Sequence, residues 1–356
     1  MSMPAPGSNR SAYSPLDRFA LVHNDVKTAN NTNADYQPHD DIRETVKFIC
    51  QYYLPTEQAE ESLNPDTGFE WRLNKAIRHG YAEDYREVVE DFNTMIVKAR
   101  QDGTIRRVLQ DQHSIDEKLV KRILDQVYSR TVSPSVDILR AYKGFSDNVY
   151  GELKPRLVHD IFGLTGLKSG HVFVDLGSGV GNVVLQAALE VGCESWGIEM
   201  MENPCKLAEL QRDEFAARAR LWGLSVGKVH LLKGDFTQNV KITEVLRRAD
   251  VVLVNNQAFG SDLNGTLISM FLDLKDGCKI VSLKPFKPDG LELKESNINN
   301  MAHMFVDERK LTFWSDSVSW TDASGHYHIV TKDLARCAKM KDQLLQRTGR
   351  RTKTSL

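Results

Sequence analysis

The chain has 356 residues, 41% of them hydrophobic and 26% charged, with a formal net charge of −2 at pH 7. That balance belongs to a globular chain with room for one large domain or two ordinary ones. Taken alone it makes no case for nucleic-acid binding. No apolar run approaches the ~18 residues of a membrane span, and no signal segment is recognisable, so no membrane association is expected. Five scattered cysteines with no CxxC pair argue for reduced intracellular thiols and against a zinc site; no metal is expected.

Residues 1–40, rich in Asn, Ser, Pro and Ala, are expected to form a flexible N-terminal segment. From 41 to 149 the pattern predicts a helical N-terminal domain that ends in a cofactor-covering loop. Tyr85, Val88, Val89, Phe92 and Ile96 form one apolar stripe of an amphipathic helix. Ser114–Glu117 reads as a capping box opening a helix through Leu119, Ile123 and Val127, and Thr131–Val149 reads as a loop. Residues 150–335 change texture. Short β-rich runs at Val172–Leu176, Trp196–Met200, Lys228–Lys233, Val251–Asn255 and Lys279–Leu283 alternate with helices opening near Val180, Asn203, Val240 and Asp262. Alternation of this kind predicts a parallel sheet covered on both faces, with a ligand crevice at the carboxyl ends of its strands. Thr312–Trp320 and His326–Lys332 predict a closing antiparallel hairpin. Residues 336–356 form a basic tail with seven Lys or Arg against one acid, read either as a solvated end or as a contact for DNA.

The most informative run is Asp175-Leu176-Gly177-Ser178-Gly179-Val180-Gly181-Asn182, which follows an apolar strand and opens a helix. Glycines there permit a sharp turn and close approach of a ligand to backbone. A dinucleotide fold requires G-x-G-x-x-G, but Asn182 stands where its last glycine belongs; a phosphate-binding Walker loop requires a Gly-Lys-Ser/Thr that is absent. An acid followed by G-x-G-x-G resembles instead the class I methyltransferase fingerprint, which implies S-adenosylmethionine as cofactor. Glu199, 18 residues past Gly181, ends the second strand, where an acceptor can take ribose hydroxyls. Asp235 and Phe236 end the third, where a carboxylate and a ring face suit an adenine.

Beyond these residues the chain resembles the Disruptor-of-telomeric-silencing family of non-SET histone H3 lysine methyltransferases, particularly its fungal members. The likeness runs from Tyr128 to Lys332 through Tyr128–Pro134, Val149–Glu152, Phe173–Gly181, Val254–Asn256 and Ser317–Thr321. It implies a class I, Rossmann-like α/β fold with an N-terminal helical module. It also implies a nuclear enzyme that methylates a lysine in the globular core of histone H3 within nucleosomes. On that resemblance Tyr150, Gly151, Glu152 and Leu153 cover the methionine end of the cofactor; Phe173, Val174 and the run from Asp175 to Asn182 cradle it. Glu199 holds the ribose, and Asp235 and Phe236 meet the adenine. Asn255 stands beside the transfer centre, and Phe259, Trp320 and Tyr327 wall the lysine channel, where an in-line displacement transfers the methyl group. Gln257 replaces an aromatic of the family pattern. Two other readings stay open: a methyltransferase acting on an amino group of nucleic acid, and a chromatin-binding scaffold with weakened activity.

Overall fold

The apolar stripe at Tyr85–Ile96 lies on a helix spanning Ala82–Gln101, whose buried face carries Val88, Phe92 and Ala99. The computed structural model describes residues 38–140, 151–288 and 290–353. The chain divides into two compact units, Met1–His113 and Ser114–Leu356.

In the first unit, α1 (Pro38–Tyr53), α2 (Thr56–Ser62), α3 (Phe69–His79), α4 (Ala82–Gln101) and α5 (Thr104–Gln110) follow one another. Helix α1 opens at Pro38, within the stretch expected to be flexible. Val46, Cys50, Leu54, Leu73, Val88, Phe92 and Ala99 form this unit's core. Gly80 ends α3 in the left-handed region at φ 69°, a conformation only glycine adopts without strain.

The second unit opens with α6 (Glu117–Thr131), capped by Asp116, whose side chain accepts from the Lys118 amide. Asp116 rather than Ser114 is therefore the N-cap. A turn at Ser133–Ser135 and α7 (Val136–Arg140) replace the first part of the expected loop. Next come α8 (Pro155–Thr165), β1 (Val172–Leu176), α9 (Asn182–Gln186), β2 (Glu194–Glu199) and α10 (Glu202–Leu221). Then follow β3 (Val229–Lys233), α11 (Val240–Leu246), β4 (Val251–Val254), α12 (Ser261–Met270) and β5 (Lys279–Ser282). The chain closes with β6 (Phe305–Phe313), β7 (Gly325–Lys332) and α13 (Leu334–Lys353). Helix α6 packs here because Leu119, Val120, Ile123 and Val127 are buried and Gln126 accepts from the Trp222 indole at 3.0 Å. Periodicity announced that buried face but not its partner, so the expected boundary near 149 and the compact division at 113 differ.

The seven strands lie in the order β3-β2-β1-β4-β5-β7-β6. The first five are mutually parallel, and β7 runs antiparallel between β5 and β6. This is the expected class I methyltransferase-like α/β architecture. Side-chain alternation separates two cores. Val172, Val174, Leu176, Val252, Val254 and Ile280 pack beneath α11 and α12. Phe173, Val251, Leu253, Val281 and Ile329 pack with α8 and α9 on the other face.

The first strand of the closing hairpin lies at Phe305–Phe313, not at Thr312–Trp320. A bulge between Val306 and Arg309, with Asp307 at φ 51°, interrupts its alternation. Trp314–Ser324 instead forms the connection, and within it Val318 bridges Leu153. The basic segment continues the chain as α13, in which Cys337 is buried and Arg336 pairs with Asp307 at 2.7 Å. Among the described residues no helix is long and apolar enough to cross a membrane.

Candidate functional site

Strand order reverses between β1 and β4, and beyond the carboxyl ends of the parallel strands lies a cavity of about 1100 Å³. The glycine run forms its floor. Gly177, Gly179 and Gly181 all stand in the left-handed region, at φ 85°, 56° and 88°. The Gly177 and Ser178 amides donate to the Ile198 carbonyl at 2.9 and 3.0 Å, tying the turn to β2. Glu199 completes the tie: Oε2 accepts from the Gly179 amide at 3.0 Å and Oε1 from the Met201 amide at 2.7 Å. A carboxylate offers about four lone-pair directions, so two remain for a ligand. Gly181 serves packing instead. A Cβ there would approach Leu231 to 3.1 Å, and the residue does not line the cavity.

The remaining walls come from separate elements. Asp235 accepts from the Thr237 amide and hydroxyl through Oδ1, at 2.8 and 2.7 Å, leaving Oδ2 outside that turn. Phe236 and Phe259 stand 6.2 Å apart at the same end. Glu152, Leu153 and Lys154 form a short ladder with Ser317–Ser319: Lys154 N donates to Ser317 O, Ser319 N to Glu152 O, and Glu152 N to the Ser319 hydroxyl. The Asn255 side-chain amide donates to the Gly151 carbonyl at 3.1 Å, joining the end of β4 to this segment.

Of the residues singled out in the sequence, Gly151, Glu152, Leu153, Asp175, Gly177, Ser178, Gly179, Val180, Asn182, Glu199, Asp235, Phe236, Asn255 and Phe259 line the cavity together. Phe173, Val174 and Leu176 do not; all three are buried in the two sheet cores, and of β1 only Asp175 lines the cavity. Trp320 and Tyr327 also stand back from it. The Trp320 ring lies so close over Gly151 that a Cβ there would come within 2.6 Å of it, and Tyr327, 3% exposed, packs in the same apolar cluster. Gln257 is exposed and away from the lining. Tyr150 lies outside the described residues. Met200, Met201, Pro204, Thr237, Ala258 and the α12 residues Asp262, Leu263 and Thr266 line the cavity without having been singled out.

Charge defines what this site can hold. Glu152, Asp175, Glu199, Asp235 and Asp262 line it, and no Lys, Arg or His does so among the described residues. A pyrophosphate would find repulsion there; a cation with hydroxyl and amino donors would find partners. Asp175 is the most affected acid. Burial first, and then the Glu199 charge, push its carboxyl up to about 8. Its folded value thus exceeds the ordinary carboxylate value, so the ligand-free fold loses stability as pH rises through about 8. A cationic ligand reverses that preference by favouring the carboxylate.

The family of histone methylation proteins described as DOT1 has a model that matches residues 128–332. The chain belongs to that family. Among DOT1-family relatives, "Histone-lysine N-methyltransferase, H3 lysine-79 specific" of Emericella nidulans is 51% identical over 310 residues, covering 87% of this chain and 62% of the relative. The protein of the same description from Aspergillus fumigatus is 51% identical over 328 residues, covering 92% and 64%. That of Yarrowia lipolytica is 42% identical over 301 residues, covering 84% and 61%. The chain thus spans less than two thirds of the length of each of these DOT1-family relatives.

Proposed function

We propose that this chain is an S-adenosylmethionine-dependent histone-lysine methyltransferase. On this reading it acts on the globular core of histone H3 in nucleosomes, at the position for which its relatives are named. The observation that carries the proposal is the cavity itself: a glycine-floored crevice with five acids and no base among its described lining residues. The bound cofactor supplies a methyl group on a positively charged sulfur. Asp175 and Glu152 balance the cationic end, the remaining lone pairs of Glu199 take the ribose hydroxyls, and Asp235 Oδ2 with Phe236 receives the adenine.

A lysine amine with its ordinary pKa of about 10.4 is neutral in only about one molecule in 2,500 at pH 7. Facing a sulfonium in a space walled by Phe259, the ammonium is disfavoured by like charge and desolvation, so the neutral amine gains population. Asn255 holds the segment that begins at Gly151 and orients the reacting groups without taking a proton. Phe259 walls the approach, while Trp320 and Tyr327 stiffen it from behind. Positioning of this kind supplies much of the rate in a direct in-line displacement.

Radiolabelled cofactor with nucleosomes, free histone H3 or RNA tests the assignment. Label on H3, with nucleosomes preferred over free histone, is expected. Label on RNA alone, or nowhere, would overturn it.

Two further results are expected. Cofactor affinity should rise roughly tenfold per pH unit below about pH 8 and level off above it, because binding requires the ionised Asp175. Asp175→Asn should flatten this profile in calorimetric titrations, and a wild-type profile flat from about pH 6 to 9 would refute the role of Asp175.

Basic residues of α13 form the second surface in the proposal, contacting DNA of the nucleosome in the nucleus. Replacing Lys339, Lys341 and Arg347 by Ala should weaken nucleosome binding. Its logarithmic salt slope should then fall by up to about 0.9 for each lost phosphate contact. An unaltered slope would remove α13 from the DNA interface.

A further inference from the structure

Tyr128 opens the first motif of the family pattern and does not line the cavity, yet two of its features bear on the cavity walls. Its ring packs against the cluster Val132, Leu139, Val180 and Leu207, in which Val180 belongs to the glycine turn and Leu207 to α10. Its hydroxyl donates to Glu152 Oε1 at 3.1 Å, and Glu152 also lines the cavity. One side chain thereby touches two parts of the lining that come from different segments.

Helix α6 is a firm base for such a strut. Trp222 anchors it through Gln126, and a buried Arg218–Glu214 pair at 2.7 Å on α10 lies beside Arg130 of α6. The Glu152 backbone is fixed by its ladder with Ser319, and the Tyr128 hydroxyl reaches its carboxylate from a separate element. A phenol donor makes that contact at little entropic cost, since the ring is already held by packing.

Resting on the methyltransferase reading above, we propose that Tyr128 is a positioning residue for cofactor binding. It aims the Glu152 carboxylate into the cavity and braces the glycine turn against it. The residue acts through Glu152 and takes no part in the chemistry.

The test uses Tyr128→Phe, Glu152→Ala and the double variant, with cofactor Kd by calorimetry, kcat and cofactor KM on nucleosomes, and Tm of the cofactor-free protein. Tyr128→Phe removes one oxygen and keeps the ring packing. It should raise Kd and cofactor KM about threefold to tenfold, leaving kcat and Tm nearly unchanged. In the Glu152→Ala background it should add less than about twofold, because the group it positions is gone. An unchanged Kd, or an effect that multiplies fully with that of Glu152→Ala, overturns the proposal. So does a loss of affinity that tracks a fall in Tm without coupling to Glu152, which would make the hydroxyl merely structural. If the unaltered chain binds no S-adenosylmethionine, the underlying reading fails and this inference with it. Binding with uncoupled variants sinks the inference alone.

Discussion

Gly179→Arg is expected to abolish S-adenosylmethionine binding, leaving no detectable heat at cofactor concentrations roughly a hundredfold above the wild-type Kd. Backbone strain is the smaller cause. Gly179 sits at φ 56°, where an L side chain costs about 1–2 kcal/mol. The larger cause is occupancy. Gly179 lines the cavity and its amide holds Glu199 at 3.0 Å, so a long side chain there is expected to take space the ligand needs. Arginine also brings a fixed cation into a crevice lined by Glu152, Asp175 and Glu199, and so competes for the charge that recognises the ligand. Tm of the cofactor-free protein should therefore fall little or even rise, while binding is lost. Gly179→Ala separates the two causes: it keeps the strain, adds only a methyl group and should retain measurable affinity. Unchanged affinity in Gly179→Arg would refute the placement of this turn under the cofactor.

What the sequence disclosed about this site follows from which features leave a mark in residue type. Gly177, Gly179 and Gly181 were legible because their left-handed backbone favours glycine, and Asp175, Glu199 and Asp235 because a lone acid at the end of an apolar strand stands out. Neighbours in the fingerprint were less separable. Phe173 and Val174 belong to the same run as Asp175, but strand geometry turns them into the two cores. Met200, Met201 and Pro204 line the cavity with residue types that any strand-to-helix loop could carry. Asp262, Leu263 and Thr266 had one usable signal, their clustering on the first turns of the helix after Asn255–Gly260.

The closing hairpin and its second strand are where the sequence places them, and only its first strand lies elsewhere, for a related reason. Trp314, Val318 and Trp320 imitate strand alternation, whereas the true strand contains Asp307-Glu308-Arg309-Lys310 and a bulge. Edge strands tolerate such charge, which protects them from pairing with other chains and hides them from hydropathy. The placement of α6 was a matter of partner rather than pattern. An amphipathic stripe states that a face is buried, and only the fold supplied Trp222 as what buries it.

Asn255 and Asn256 show how adjacent identical residues separate into chemistry and scaffold, and their alanine variants should fail in opposite ways. Asn256 is fully buried. Its Oδ1 accepts from the Leu283 and Lys284 amides at 2.9 and 2.8 Å, and its Nδ2 donates to Asn264 Oδ1 at 2.9 Å and Lys284 O at 3.1 Å. Asn256→Ala strands those four groups away from water, at about 1–3 kcal/mol for each that finds no new partner. A total near 3–5 kcal/mol, read as a marked fall in Tm, is the expected result. Among the described residues the Asn255 side chain makes one bond, to Gly151 O, at the cavity wall. Asn255→Ala should therefore cost about 1 kcal/mol of stability, the ordinary worth of such a bond. Turnover should fall by about a hundredfold, because the segment at Gly151 is no longer held in register with the end of β4. The loss should lie in kcat, with cofactor Kd changed only a few-fold, since Asp175, Glu199 and Asp235 remain in place. Thermal melting and nucleosome methylation assayed on both variants decide the matter. Normal turnover in Asn255→Ala would remove that residue from the active centre, and an unaltered Tm in Asn256→Ala would show that the β4–β5 clamp is dispensable.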